Sequence, residues 1–238
     1  MVWTKRKGDA PFKIAYFFVI FTNYYEKLMT KTYKPFPLKD VMKLILVRHG
    51  ETEENARKII QGHGEGNLSK KGILQAKKVA IRLKDENIDK IYVSDLKRAV
   101  DTAKEIIKYH PNAEVIYEPR LREQWYGTLE GKPSSHFWKA LEKSGSDILT
   151  FKPGGGESIP ELKERVIQFF SDLIKTEKDN TVLLVTHGGP IGNLLLYILN
   201  LPNERFKEYH PKNTAVSILK LNDGEIKIET LNCTEHLE

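Results

Sequence analysis

From residue 42 onward, short apolar runs alternate with helical amphipathic patterns, and this alternation constrains the fold more than any other feature. Leu44–Val47 and Thr181–Val185 are continuous apolar stretches, the pattern of strands buried on both faces. Lys90–Val93 and Glu114–Tyr117 read as further short strands. Ile73, Ala76, Val79, Ala80 and Leu83 fall at helical spacing, as do Ala99, Val100, Ala103, Ile106 and Ile107, with Ser94 as candidate N-cap of that second helix. Ser158 and Glu161 form a capping-box pattern before a helix that turns Leu162, Val166, Phe169, Phe170 and Leu173 inward. Pro190 suits the first turn of a helix ending near Asn200. Thr214–Leu221 and Glu225–Leu231 flank Asn222-Asp-Gly224, a hairpin signal. The expected fold is α/β: a three-layer sandwich with a mostly parallel central sheet flanked by helices and an antiparallel edge.

Within that frame one local echo stands out. Leu46-Val-Arg-His-Gly50 and Leu184-Val-Thr-His-Gly188 are both a buried strand followed by His-Gly. In open parallel sheets ligands bind beyond the carboxyl ends of the strands, so His49 and His187 fall on the side where chemistry is expected. Gly50 permits a sharp turn and exposes backbone amides. Gly188-Gly189 opens a helix whose N-terminal amides suit an anion. Taken singly, Arg48-His49-Gly50-Glu51 reads equally as a surface turn, and His187 as an incidental residue in a capping turn. Arg98, one turn into its helix, reads alone as a solvated charge; beside Arg48 it offers a second planar fork for a phosphoryl group.

Charge separates the ends of the chain. The formal net charge is +6, and residues 1–41 supply +5 of it through eight Lys/Arg against three acids. The near-neutral remainder lacks the dense basic face of a nucleic-acid-binding protein. Residues 1–41 read as an N-terminal extension of uncertain role. Ile14–Phe21 is apolar but too short to span a bilayer, which needs about 20 residues. Pro35 and Pro37 mark a linker. A docked helix, a membrane-surface anchor and an upstream start with Met42 as first residue all fit. One cysteine, Cys233, excludes an internal disulfide and fits a reducing cytoplasm.

The ordered set of motifs resembles the histidine phosphatase superfamily, the phosphoglycerate-mutase-like proteins. The matching residues are Leu46-Val-Arg-His-Gly-Glu-Thr52 with Asn55, Gln61-Gly62, and Leu68-Ser69 before Gly72. Then come Ser94-Asp-Leu-Lys-Arg-Ala99 with Thr102-Ala103, Leu121-Arg-Glu123 with Gly127 and Glu130-Gly131, Gly156-Glu-Ser158, and Val185-Thr-His-Gly-Gly189. The resemblance covers nearly all of 42–238, taken as the catalytic domain, and none of 1–41. It implies a phosphohistidine on His49. Arg48, Arg98, His187 in cationic form and Asn55 would hold the phosphoryl group, with Gln61, Gly62 and Gly188 also beside it. Glu123 would act as acid and then base. Glu157, Ser158, Asn213 and Thr214 match positions near the site. No metal and no cofactor is implied.

Glu54 replaces an aromatic frequent in the family, Asp95 a proline and Leu129 a tryptophan; these departures bear on substrate choice. Family mutases carry a longer lid insertion than the stretch here from Gly131 to Gly154, which holds a lid helix at Ser135–Lys143 with Phe137, Trp138 and Leu141 apolar. This favours a phosphatase of small phosphorylated metabolites over a mutase, with an inactive phospho-ligand-binding member as a third reading. Trp125, Tyr126, Phe137, Trp138 and Tyr209 fit an apolar rim or the core, the commoner place for aromatics, and are not assigned. Nothing fixes the oligomeric state; a homodimer stays open.

Overall fold

The structure, a computed structural model, describes residues 41–222 and 225–238. The readings of the N-terminal extension lie outside the described residues, as do Asp223 and Gly224 of the hairpin turn. Six strands form one sheet: β1 (Met42–Arg48), β2 (Lys90–Val93), β3 (Glu114–Tyr117), β4 (Thr181–Thr186), β5 (Val216–Asn222) and β6 (Glu225–Cys233). Their order is β3-β2-β4-β1-β5-β6. The first four run parallel, and β5 and β6 add the antiparallel edge expected. The helices are α1 (Glu53–Ala56), α2 (Lys70–Leu83), α3 (Lys97–Ile107), α4 (Ser135–Ser144), α5 (Ile159–Thr176), α6 (Gly188–Ile198) and α7 (Phe206–Tyr209). None of the described helices is long and apolar enough to cross a membrane.

The two-sided burial read from β1 and β4 is realised as two cores. Leu44, Leu46, Val182 and Leu184 face Val166, Phe169 and Phe170 of α5 and Ile191, Leu194 and Leu195 of α6. Their neighbours Ile45, Val47, Leu183 and Val185 face Val79 and Leu83 of α2 and Ala99 and Ala103 of α3. Period-two alternation with both faces apolar makes the run look continuous in sequence. Burying a side chain such as Phe170 contributes about 1.5–3 kcal/mol. The Ser158–Glu161 capping box forms as expected, with Ser158 N donating to Glu161 Oε2 at 2.9 Å.

Two local expectations change. Ile73 is exposed, and Gly72 and Gln75 take the buried face of α2 instead. Gly72 packs so closely that a Cβ would lie 1.9 Å from Glu51 O, and Gln75 Oε1 accepts from Glu51 N at 2.8 Å. Ser94 does not cap α3, which begins at Lys97 with Leu96 as its cap residue; its hydroxyl is used elsewhere.

Candidate active site

Register places the two His-Gly turns side by side. Arg48 lies opposite Thr186 in the parallel β1–β4 ladder, and His49 N donates to Thr186 O at 2.9 Å. His49 and His187 therefore emerge from adjacent strand ends, with ring centroids 5.1 Å apart, close to the spacing between neighbouring strands. β2 flanks β4 on the other side, so Ser94 also emerges at this edge, and its Oγ meets His187 Nε2 at 2.8 Å.

The turn after β1 settles the state of His49. Its Nδ1 lies 2.7 Å from Gly50 O. A carbonyl only accepts, so Nδ1 carries the proton and Nε2 keeps its lone pair. Burial, then the charges of Arg98 and Arg48, hold the imidazole well below its ordinary pKa. The turn is tight: Gly50 N donates to Thr102 Oγ1 at 3.0 Å, and a Cβ on Gly50 would come within 2.6 Å of Gly72 O. His187 is likewise held well below its usual range, first by burial and then by Arg98. Burial beside Arg98 thus works against the cationic His187 that the resemblance implies, and a bound dianion would favour it. Its Nδ1 is buried without a partner among the described residues.

The guanidiniums are fixed by carbonyls. Arg98 is 1% exposed, far from the solvated charge its sequence position allows. Its Nη1 donates to Gly64 O (3.0 Å) and its Nη2 to Gly62 O (2.7 Å), while Nε has no partner among the described residues. Burial pushes it down to about 10. Gly62 has φ 55°, and a Cβ there would overlap Glu130 Oε1. Arg48 Nη1 donates to Pro211 O at 2.7 Å, and its buried Nε has no partner among the described residues. Asn55 sits in an unforeseen capping box on α1: its Oδ1 accepts from Thr52 N (3.2 Å) and from Asn213 Nδ2 (3.3 Å). The acceptor is occupied, which leaves the amide NH₂ to donate into the cavity.

Arg48, His49, Asn55, Gln61, Gly62, Arg98 and Glu123 line one cavity of about 320 Å³. Ile59, Ile60, Tyr126, Ser134, Phe137 and Trp138 complete it. His187 does not line it but backs His49, and Gly188 opens α6 facing His210, whose Nε2 a Cβ would meet at 2.3 Å. Glu123 accepts from Gln124 N (2.9 Å, Oε1) and from Gly189 N at the start of α6 (3.2 Å, Oε2). Of the aromatics left open, Tyr126, Phe137 and Trp138 reach the cavity through α4 and its neighbouring loop. Trp125 is half exposed against His63, and Tyr209 packs on the core. Ser94, Thr102 and Asn213 were not given these tasks by sequence reasoning. The first two lie inside a quoted motif, but the pairings span 93 and 52 residues.

An α/β sheet with paired His-Gly turns, two guanidiniums anchored on carbonyls and a carboxylate over one cavity defines a phosphoryl-transfer protein. Residues 44–234 match the model of the histidine phosphatase superfamily (branch 1), and the chain belongs to that family. It is 36% identical over 208 residues to phosphoglycerate mutase-like protein 4 of Arabidopsis thaliana, covering 84% of this chain and 88% of the relative. A metal-independent phosphoserine phosphatase from the same plant is 35% identical, covering 83% and 84% respectively. The crystal structure of a phosphoserine phosphatase from Entamoeba histolytica, in complex with 3-phosphoglyceric acid, superposes with TM-score 0.69 at 31% identity, covering 83% of this chain and all of that one.

Proposed function

We propose that residues 42–238 form a phosphomonoesterase that works through a phosphohistidine on His49 and needs no metal. One observation carries this: a neutral His49, its Nδ1 committed to Gly50 O, shares a cavity with two carbonyl-anchored guanidiniums. The Nε2 lone pair attacks phosphorus in line, the N–P bond forms and the P–O bond to the leaving group breaks. Arg48, Arg98 and Asn55 hold the equatorial oxygens, with His187 behind His49 adding charge once the dianion binds, a task that magnesium performs elsewhere. Glu123 gives its proton to the departing oxygen. Water then attacks phosphorus, yields a proton to Glu123, and the N–P bond breaks to release orthophosphate. Gln61 and Gly62 shape the wall around the group, and Gly188 opens α6 behind it.

The leaving-group side of the cavity supports a substrate class. Ile59, Ile60, Tyr126, Phe137 and Trp138 form an apolar wall, and among the described residues no lysine and no third arginine lines the cavity. A second anionic group would be desolvated there without a partner, at a cost of several kcal/mol. The reading is a small monophosphate with an uncharged, apolar or aromatic leaving group. The single thiol Cys233 fits a cytoplasmic setting. The test is a panel of para-nitrophenyl phosphate, benzyl phosphate, phosphoserine and both monophosphoglycerates. The expected result is phosphate release, fastest from the aryl and benzyl esters. Phosphoglycerate isomerisation outpacing phosphate release would make the chain a mutase instead.

A further inference from the structure

The loop that presents Glu123 is held by a side chain that does not line the cavity. Arg165 stands in the second turn of α5. Its Nη1 donates to Arg120 O (2.7 Å) and Arg122 O (3.0 Å), and its Nη2 to Glu123 O (3.3 Å). The other edge of the guanidinium forms a fork with Glu157: Nε to Oε1 at 2.9 Å and Nη2 to Oε2 at 2.7 Å. Glu157 grips the far end of the same loop. Its N–H donates to Trp125 O (2.8 Å), its carbonyl accepts from Gln124 Nε2 (2.8 Å), and its Oε2 accepts from Trp125 N (3.4 Å). Leu121 O, the one carbonyl from 120 to 123 that Arg165 does not reach, accepts from Thr186 Oγ1 at 2.5 Å. Asp95, at the position where family proteins usually have proline, pairs with the Arg122 side chain.

We propose that Arg165, braced by Glu157, is the positioning residue for the leaving-group acid. It fixes the backbone of residues 120–125 so that the Glu123 carboxyl meets the departing oxygen. Five donors in one rigid plane are needed to satisfy three carbonyls and a carboxylate together, which a lysine ammonium cannot do. Misplacing a catalytic group by about 1 Å can cost about 10²-fold in rate. The inference rests on Glu123 being the acid, and the experiment separates the two.

Para-nitrophenolate departs without a proton, whereas a benzyl alkoxide must be protonated as it leaves. kcat/KM, which reports formation of the phosphoenzyme, is measured for para-nitrophenyl phosphate and benzyl phosphate in wild type, Glu123→Gln, Arg165→Met, Arg165→Lys and Glu157→Gln. Positioning predicts that Arg165→Met loses about 10-fold or more on the benzyl ester beyond its loss on the nitrophenyl ester, with Glu123→Gln showing the same selectivity. Should Arg165→Met not fold, Arg165→Lys and Glu157→Gln carry the same readout. Equal losses on both esters in the Arg165 and Glu157 variants, with Glu123→Gln selective, would overturn the positioning role alone. Equal losses in Glu123→Gln would overturn the acid assignment itself.

Discussion

Acid should unfold the protein in a way that reports directly on the buried imidazoles. His49 is 2% exposed and His187 fully buried, and burial together with Arg98 holds both well below their ordinary value of 6.5. In the unfolded chain each imidazole takes up a proton as the pH falls through about 6.5, while the folded one does not until much lower. Stability present above that value is therefore lost as pH falls. Each such group contributes a slope of about 1.4 kcal/mol per pH unit between the two pKa values. His63, His110, His210 and His236 are lowered by burial too and add to the trend, so the measurement is a difference. Urea unfolding of wild type and His187→Gln is followed from about pH 7.5 down to about pH 5. The variant's stability should fall less steeply by about 1.4 kcal/mol per unit below about pH 6.5. Saturating orthophosphate should shrink the wild-type slope, because a bound anion favours the imidazolium. Parallel curves for the two proteins without phosphate would refute the neutral, buried state of His187.

Other outcomes follow from single contacts. Gly189→Ala places a Cβ 2.2 Å from Glu123 Oε1, so turnover should fall by about 10-fold or more with the thermal midpoint little changed. Ser94→Ala leaves His187 Nε2 without its partner and should lower kcat by about 10-fold, checked by steady-state kinetics on a folded protein. Chelators should leave the rate unchanged, since Arg48 and Arg98 supply the charge that a metal would; loss of activity in EDTA would contradict this.

Local signals made much of this architecture legible. Leu44–Val47 and Thr181–Val185 announce two-sided strands because both faces of β1 and β4 bear apolar side chains. The His-Gly echo is informative because register in a parallel ladder turns equal sequence position into spatial adjacency. What stayed hidden depends on packing across the chain. Ser94 looks like a helix cap until β2 is seen beside β4, which carries its hydroxyl to His187. Ile73 fits the helical stripe of α2, yet Gly72 takes that face because only a residue without Cβ can approach Glu51 so closely. Arg165 is one charge among many on α5 until the loop from Arg120 to Trp125 is seen folding against it. The downward push on the His187 imidazole also escapes the sequence, since it follows from burial next to Arg98.

The covalent role of His49 is tested most directly by rapid acid-free quenching during turnover of phosphoryl-labelled substrate, followed by peptide mapping. Label should survive alkali but not acid, lie on the peptide containing His49 and be absent from His49→Ala. Label on another residue, or turnover in His49→Ala at the wild-type rate, would contradict that role.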